Sequence, residues 1–374
     1  MTKQSGEVFY NPQHISGMQS GPINQRIAAF HRRLPGYNPT PLLEVPALAS
    51  ELQLGKVWVK DESQRFGLPS FKFLGASWAS YQALEARNGQ PFQPWQTIEE
   101  LHRQLAHLLP LRLSAATEGN HGRAVAHFAA MLGLNARIYI PRNVSATRIE
   151  EIKQEGAEII HVDGSYDQAV SQSAAEVDER TLLISDTSWA GYEVVPGWVI
   201  DGYQTMFQEI DRQLAQARAA PPDLVAVQMG VGALATAVIR HFQKSTTRHR
   251  TRIIGVEPIK AACVQAALQR GRWGSIPGPH SSIMPGLNCG TPSLIAWPDL
   301  SAGLEVSVTI SDEQAEAAMQ SCKQAGINSG ASGAAGLAGI QALLTGPGAS
   351  WARAHLDIQP HATLLLLNTE GSAE

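Results

Sequence analysis

A lysine between two phenylalanines is the residue of this chain whose setting is most suggestive of chemistry. Lys72 follows Phe71 and precedes Phe73 and Leu74. A lysine amine must lose its proton before it can attack an aldehyde, and partial burial among apolar side chains disfavours the charged form. The pattern therefore predicts a lysine with a lowered pKa that can form a Schiff base. The alternative is a surface lysine that only covers apolar neighbours.

A glycine-rich loop follows about one βα unit later. Residues 116–122 read Ala-Thr-Glu-Gly-Asn-His-Gly, and the backbone N–H groups of such a loop can bind an anion such as a substrate carboxylate. By itself the segment could equally be a turn, because Gly and Asn adopt positive φ at low cost. Lysine and loop together are what a Schiff-base enzyme of pyridoxal phosphate (PLP) needs, and they predict PLP as the cofactor.

A second glycine loop directly follows an apolar stretch. Residues 224–228 are apolar apart from the last, and Met-Gly-Val-Gly-Ala-Leu-Ala continues from 229 to 235. This is the order strand, glycine turn, helix start, and the N–H groups of a helix start suit a phosphate. The segment is not a full GxGxxG and has no Walker lysine, which disfavours a dinucleotide or a nucleoside triphosphate. The alternative is an ordinary tight βα turn.

Two further polar residues are predicted to follow strands. Asp186 ends an apolar run, where an acid can point into a cleft, although a capping or turn aspartate is an open alternative. Thr369 follows the last apolar run and could offer its hydroxyl to a ring nitrogen or simply end the sheet. Both positions are candidates for contact with a bound molecule.

The elements that must position these residues alternate along the chain. Apolar or β-branched runs predict strands over 57–60, 113–116, 137–140, 158–162, 182–184, 224–228, 252–256 and 364–367. Helical patterns cover 124–132, 146–155, 166–177, 203–215 and 313–324. Such alternation predicts an α/β protein with mostly parallel strands flanked by helices, in which ligands bind beyond the carboxyl ends of the strands.

Bulk composition narrows the functional classes. The chain has 374 residues, 44% of them hydrophobic and 17% charged, which predicts a compact protein of two domains or one large one. A formal net charge of −4 gives no reason to expect nucleic acid or a membrane as a partner. The three widely spaced cysteines indicate neither a metal site nor a disulfide framework. With no apolar signal-like or membrane-spanning stretch, we expect a cytoplasmic protein.

In combination these segments resemble the fold-type II PLP enzymes and, among them, the diaminopropionate ammonia-lyases. The lysine and the glycine loops are shared with threonine dehydratases and cysteine synthases, whereas residues 186–189, 202–206 and 286–290 carry the closer resemblance. The resemblance implies two domains, each with a largely parallel open sheet flanked by helices. A large PLP-binding domain would comprise residues 1–76 and 198–374, and a small domain 77–197 would carry the loop from Thr117 to His121. It also implies a homodimer.

The same resemblance implies a role for each motif residue. Lys72 would hold PLP as a Schiff base beside Phe71, Asn120 would hydrogen-bond the 3′ oxygen of the ring, and Thr369 would face the pyridine nitrogen. Asp186 would be an acid–base group. The residues that would bind the phosphate are Gly230, Val231, Gly232 and Ala233. Those that would frame the substrate carboxylate are Thr117, Gly119 and His121.

One residue departs from the family pattern. Glu118 stands where the diaminopropionate ammonia-lyases have an aspartate that acts as a base, and a glutamate carries its carboxylate about one bond further. A displacement of about 1 Å can cost about 10²-fold in rate. The implied reaction is the β-elimination of 2,3-diaminopropionate through aminoacrylate to pyruvate and ammonia, with Lys72, Glu118 and Asp186 as catalytic residues. The alternatives are a PLP β-eliminase or β-replacement synthase for another β-substituted amino acid, or a non-catalytic PLP-binding paralogue.

Overall fold

The computed structural model describes residues 6–15, 24–142, 144–243 and 249–372. Its strands are β1 (Val8–Tyr10), β2 (Leu42–Glu44), β3 (Lys56–Asp61), β4 (Arg112–Ala116), β5 (Asn135–Pro141), β6 (Glu158–Val162), β7 (Thr181–Leu183), β8 (Leu224–Gln228), β9 (Arg252–Pro258), β10 (Val306–Ile310) and β11 (Thr363–Asn368). Its helices are α1 (Gln25–Arg33), α2 (Pro46–Glu51), α3 (Lys72–Asn88), α4 (Ile98–Leu105), α5 (Asn120–Met131), α6 (Ala146–Gln154), α7 (Tyr166–Ala175), α8 (Val194–Gly202), α9 (Gln204–Gln216), α10 (Ala233–Phe242), α11 (Cys263–Arg270), α12 (Trp297–Gly303), α13 (Asp312–Gln324), α14 (Ala331–Thr345) and α15 (Ala349–His355).

The strands form two sheets. The larger has the order β1-β10-β9-β8-β11-β3-β2, in which only the edge strands β1 and β2 pair antiparallel with their neighbours. The smaller has the order β6-β5-β4-β7 and is parallel throughout. The predicted α/β class with largely parallel sheets is therefore confirmed.

Burial on both faces of the sheet explains why some strands could be predicted from the sequence and others could not. The central strands β8 and β11 are buried at nearly every position and read as continuous apolar runs, as parallel strands covered by helices do. All eight predicted strands are present with shifts of at most two residues at their ends. The edge strands β1 and β2 were not predicted, because each has three residues and is half-buried or exposed. Strand β10 was also missed, since its apolar residues are interrupted by Ser and Thr.

Helix α3 begins at Lys72 and was not predicted as a helix. Most of its seventeen residues are buried, so it shows no polar face and no helical periodicity. Close packing against α8 fixes its position. A Cβ atom at Gly75 would lie 2.7 Å from the Tyr203 ring, and one at Gly202 would lie 2.4 Å from the Leu74 carbonyl oxygen. The absence of side chains at these two glycines lets the helices approach and sets the place of Lys72.

A buried ionic cluster anchors the chain before Lys72. Arg65 donates to Glu62 at 2.6 Å and to Glu209 of α9 at 2.8 Å, and Lys60 at the end of β3 also donates to Glu209 at 2.8 Å. None of these side chains is more than 3% exposed. Because each buried charge has an opposite partner, the cluster offsets its desolvation and ties the segment after β3 to α9.

The two sheets come from different parts of the chain. The larger uses residues 8–61 and 224–368, and the smaller uses 112–183. The predicted domain boundaries, 76/77 and 197/198, fall within α3 and α8 and stay a prediction. Within the described ranges, no helix is long and apolar enough to cross a membrane. The same ranges contain no group of three or more His, Cys, Asp or Glu residues that could hold a metal ion.

Candidate active site

A cleft at the carboxyl ends of the strands contains about 820 Å³ of space, open solvent included. Its wall is formed largely by loops that connect strands to helices in both sheets, as expected for parallel α/β sheets. Every residue predicted from the sequence to contact cofactor or substrate lies on its wall: Phe71, Lys72, Thr117, Glu118, Gly119, Asn120, His121, Asp186, Gly230, Val231, Gly232, Ala233 and Thr369. Their separate roles remain predictions.

Lys72 forms an ion pair in this cleft. Its Nζ atom donates to Asp186 Oδ2 at 2.6 Å, and its side chain is 19% exposed. Burial disfavours the ammonium form, but attraction to the Asp186 carboxylate outweighs it and raises the pKa of Lys72 above its ordinary value. The expected lowering of this pKa is wrong for the structure, because the sequence pattern showed the apolar neighbours and not the carboxylate.

Asp186 is held by two donors. Its Oδ2 atom accepts from Lys72, and its Oδ1 atom accepts from the Tyr166 hydroxyl at 2.9 Å. Burial would raise the pKa of this carboxyl, but the Lys72 ammonium and the hydrogen bonds from Lys72 and Tyr166 lower it below its usual range. Asp186 is therefore a buried carboxylate that needs a cation beside it.

The ring of His121 lies near the same carboxylate. Its Nε2 atom lies 2.7 Å from the Ile184 carbonyl oxygen, which can only accept, so Nε2 carries the proton. Burial lowers the pKa of this imidazole and favours the neutral ring. Its Nδ1 atom is buried without a hydrogen-bond partner in the described structure and lies 3.9 Å from Asp186 Oδ2. In the neutral ring Nδ1 is a lone-pair acceptor.

Glu118 lies in the loop between β4 and α5. Burial raises the pKa of its carboxyl to about 8, Arg148 opposes that rise, and Asp167 adds to it. Arg148 of α6 also donates to the Glu118 backbone carbonyl at 3.4 Å. Glu118 is thus mostly protonated at neutral pH, whereas Asp186 is ionised, and these two of the carboxyl groups that line the cleft differ in protonation state.

The second glycine loop forms a cradle for an anion. It connects β8 to α10, and Gly232 has φ +93° at the position before the helix. A Cβ atom at Gly230 would lie 2.8 Å from the Gly286 carbonyl oxygen, and one at Gly232 would lie 2.5 Å from Leu300 Cδ1. The first N–H groups of α10 have no acceptor within the helix and carry the positive end of its dipole. The loop fits a phosphate group.

The wall of the cleft at the end of β11 offers a hydroxyl donor. Gln228 Nε2 donates to Thr369 Oγ1 at 2.7 Å, which uses an acceptor position of that oxygen and leaves its hydrogen for another acceptor. Asn120 Nδ2 donates to Glu370 Oε2 at 2.6 Å and has a second hydrogen. A lysine amine, an anion cradle and a hydroxyl suited to a ring nitrogen are the donor set that PLP requires, so the residues present fit this cofactor.

Several residues of the cleft were not predicted to be functional. Tyr166 and Arg148 lie at or near the starts of helices, where a sequence pattern does not distinguish an inward from an outward side chain. Gln228 ends a strand that was predicted correctly, and its polarity in an otherwise apolar run was the available signal. Glu370 follows Thr369 and lies against α5 and α6, which no local pattern reveals.

Comparisons with known proteins agree with this geometry. The family model described as "Pyridoxal-phosphate dependent enzyme" matches residues 33–351. The diaminopropionate ammonia-lyase of Salmonella typhimurium is 34% identical over 366 residues, which cover 94% of this chain and 90% of that protein. The Escherichia coli protein of the same name is 32% identical over 351 residues, 92% of this chain and 87% of its own.

Solved structures of the Escherichia coli diaminopropionate ammonia-lyase superpose on this chain. Its complex with D-serine gives a TM-score of 0.89 at 31% identity and covers 98% of this chain and 94% of that chain. Its complex with an aminoacrylate-PLP azomethine reaction intermediate gives a TM-score of 0.87 at 30% identity, with the same coverage. Maize serine racemase, at 22% identity and a TM-score of 0.72 over 93% of each chain, shares the fold.

Proposed function

This chain belongs to the pyridoxal-phosphate-dependent enzymes and, within them, to the diaminopropionate ammonia-lyases, and we propose that it converts 2,3-diaminopropionate to pyruvate and ammonia. The reaction is a β-elimination: the Cα proton and the β-amine are lost, and the resulting aminoacrylate hydrolyses to pyruvate and a second ammonia. The observation that carries the proposal is that Lys72, an anion cradle and the Thr369 hydroxyl line one cleft together with the carboxyl groups of Glu118 and Asp186.

Each group of the cleft has a distinct task in holding the cofactor. Lys72 would attach it covalently through Nζ, and the loop from Gly230 to Ala233 would bind its phosphate through backbone N–H groups. Asn120 and Thr369 would orient the ring, and Phe71 would lie beside it. When bound, pyridoxal phosphate supplies a conjugated electron sink that makes the Cα–H bond of an attached amino acid acidic. A neutral hydroxyl at the ring nitrogen suits an elimination, which does not need the full carbanion charge in the ring.

The remaining residues bind the amino acid and move its protons. Thr117 and Gly119 frame the carboxylate from the loop before α5. Lys72 Nζ or the Glu118 carboxylate would take the proton from Cα, according to the enantiomer, because the Cα hydrogens of the two enantiomers point to opposite sides and both groups line the cleft. Asp186 lies beside Lys72 and is the anionic partner of whichever ammonium group occupies the cleft.

A substrate panel tests the proposal. Holoenzyme is incubated with D- and L-2,3-diaminopropionate, D- and L-serine, L-threonine and β-chloroalanine, and pyruvate or 2-oxobutyrate is measured together with ammonia. We expect the highest kcat/KM for diaminopropionate, with two ammonia molecules released per pyruvate. A higher kcat/KM for another amino acid would identify a related β-eliminase. No keto acid from any of them, but substitution when a thiol is added, would identify a β-replacement synthase.

The raised pKa of Glu118 predicts a pH profile. A carboxyl group with a pKa of about 8 must lose its proton before it can accept one from Cα. For the enantiomer that depends on Glu118, kcat/KM should therefore rise with pH through about 8 and level off above it, while Glu118→Gln should remove that rise. Initial rates for both enantiomers between pH 6 and about 9.5 check this. A profile that is flat through pH 8 for both enantiomers contradicts it.

Substitution of Gly232, the residue before α10, is expected to weaken the binding of the cofactor. Gly232→Ala places a Cβ atom against Leu300 at a positive φ, which costs about 1–2 kcal/mol in strain and displaces the N–H groups that face the phosphate. We expect PLP to bind at least about tenfold more weakly, measured by titrating apoenzyme. Gly326→Ala is the matched control, because Gly326 also has a positive φ, but among the described residues other than its chain neighbours no atom lies within 4 Å of its Cβ position. Unchanged PLP affinity in Gly232→Ala would mean that the loop is only a turn.

We also propose a cytoplasmic homodimer. The three cysteines are free and buried, which suits a reducing compartment. Large apolar side chains such as Val194 and Trp351 are 64% and 55% exposed, which suits burial against a second copy. Light scattering on the purified protein measures the subunit number, and cell fractionation measures the compartment.

A further inference from the structure

We infer that His121 Nδ1 and Asp186 Oδ2 together form the site that binds the β-ammonium group of the substrate and releases it as ammonia. The inference rests on the proposed function and deepens it, because it assigns to the His121 side chain a cationic amine rather than the substrate carboxylate. His121 becomes a residue that determines specificity for an amine leaving group.

The Lys72 ammonium shows that Asp186, one of the two groups of this site, accepts a primary ammonium ion. Lys72 Nζ donates to Asp186 Oδ2 at 2.6 Å, and that oxygen is 3.9 Å from His121 Nδ1. A primary ammonium has three hydrogens, so one group can donate to both acceptors. When Lys72 serves as the base at Cα it must be an uncharged amine, so it no longer supplies this cation, and the buried Asp186 carboxylate requires another one.

The protonation of His121 decides what it can bind. Its Nε2 hydrogen is committed to the Ile184 carbonyl oxygen, and a neutral ring then presents only a lone pair at Nδ1. A carboxylate has no hydrogen to donate and would meet this lone pair and the Asp186 charge, which repel it. An ammonium group can donate to the Nδ1 lone pair and also neutralise the Asp186 charge. It would thereby give a donor to Nδ1, which is buried without a hydrogen-bond partner in the described structure.

The same arrangement fits the departure of the amine. Removal of the Cα proton supplies the electron pair that forms the Cα–Cβ double bond, and the Cβ–N bond breaks with its pair going to nitrogen. A β-ammonium group then leaves as neutral NH3 and needs no further proton. The carboxylate of Asp186 and the Nδ1 lone pair favour the ammonium form of the bound β-amine and thus keep the leaving group in the state that can depart.

Substitution of His121 should discriminate between leaving groups. His121→Leu removes the acceptor, and we expect kcat/KM for 2,3-diaminopropionate to fall about 10- to 100-fold more than that for β-chloroalanine, whose chloride donates no hydrogen bond. His121→Gln, whose amide can both donate to Ile184 and accept from an ammonium, should recover part of the loss. Equal losses for the two substrates in both variants would overturn the inference. A wild-type enzyme that acts on β-chloroalanine and not on diaminopropionate would instead overturn the proposed function.

A measurement on unsubstituted holoenzyme keeps the test decisive even where His121→Leu does not fold. Nitrogen-15 NMR of histidine-labelled protein, with the His121→Gln variant for assignment, reports which ring nitrogen carries the proton. We expect His121 to be protonated at Nε2 and bare at Nδ1, and its Nδ1 signal to shift on addition of ammonium chloride but not of potassium chloride. A proton on Nδ1, or no ammonium-specific shift, would overturn the inference.

Discussion

Replacement of Lys72 by alanine should reduce the formation of pyruvate from 2,3-diaminopropionate by at least about 10³-fold. The substitution removes both the amine that attaches the cofactor and one of the two groups that can take the Cα proton. It also leaves the buried Asp186 carboxylate without its 2.6 Å partner. Alanine is a good first residue for α3, so we expect the helix to remain. Steady-state pyruvate release, with excess PLP present, measures the loss.

Chemical labelling separates attachment from turnover. Borohydride reduction of wild-type holoenzyme followed by peptide mapping should place a phosphopyridoxyl group on Lys72, and no such label should form in Lys72→Ala. Lys260→Ala is the matched control, because Lys260 is an exposed lysine that pairs with Asp312 at 2.6 Å outside the cleft. A label on another lysine of the wild-type protein would contradict the assignment.

The environment of Lys72 shows what a sequence pattern can and cannot reveal. The aromatic neighbours are adjacent in sequence, so the motif was visible, and the residue does line the cleft. Asp186 is 114 positions away, and its approach to Lys72 depends on how the small sheet lies against α3. The sign of the pKa shift follows from that distant carboxylate, which is why burial alone predicted the wrong direction.

The same distinction applies to the rest of the fold. Strands that are buried on both faces have an apolar run that does not depend on their neighbours, and β8 was predicted with its observed bounds. The half-exposed edge strand β6 was also predicted with its observed bounds, from its Ile, Ile and Val residues. Helix α3 was missed for the same physical reason, because burial on all sides removes the periodicity that reveals a surface helix. The contact between Gln228 and Thr369 joins two neighbouring strands that are far apart in sequence, so no local signal could have predicted it.

The second large loss of turnover is expected on substitution of Glu118 or Asp186. Glu118→Gln should reduce turnover of one enantiomer of 2,3-diaminopropionate by about 10²–10⁴-fold and leave the other within a few-fold, because the Cα hydrogens of the two enantiomers point to opposite sides and a base serves one side. Asp186→Asn should reduce both enantiomers by a similar factor, since the β-ammonium group that it holds is common to them. Separate kcat/KM values for the D- and L-substrates check both results. Asp167→Asn is the control for a change of charge near Glu118, because Asp167 acts on its pKa and does not line the cleft.

Shortening the acid distinguishes two explanations of why a glutamate stands at position 118. If the cleft is built around the longer side chain, Glu118→Asp withdraws the carboxylate by about one bond, and a misplacement of about 1 Å can cost about 10²-fold. Arg148 donates to the Glu118 backbone carbonyl, and its charge lowers the pKa of the Glu118 carboxyl, so Arg148 is the neighbour that acts on the longer acid. We therefore expect Glu118→Asp to lose activity on the same enantiomer as Glu118→Gln. Improved turnover of diaminopropionate in Glu118→Asp would mean that the native glutamate serves another substrate. Glu118→Gln with both enantiomers unaffected and PLP still bound would show that Glu118 is not a base, and Lys72 would then have to serve both sides.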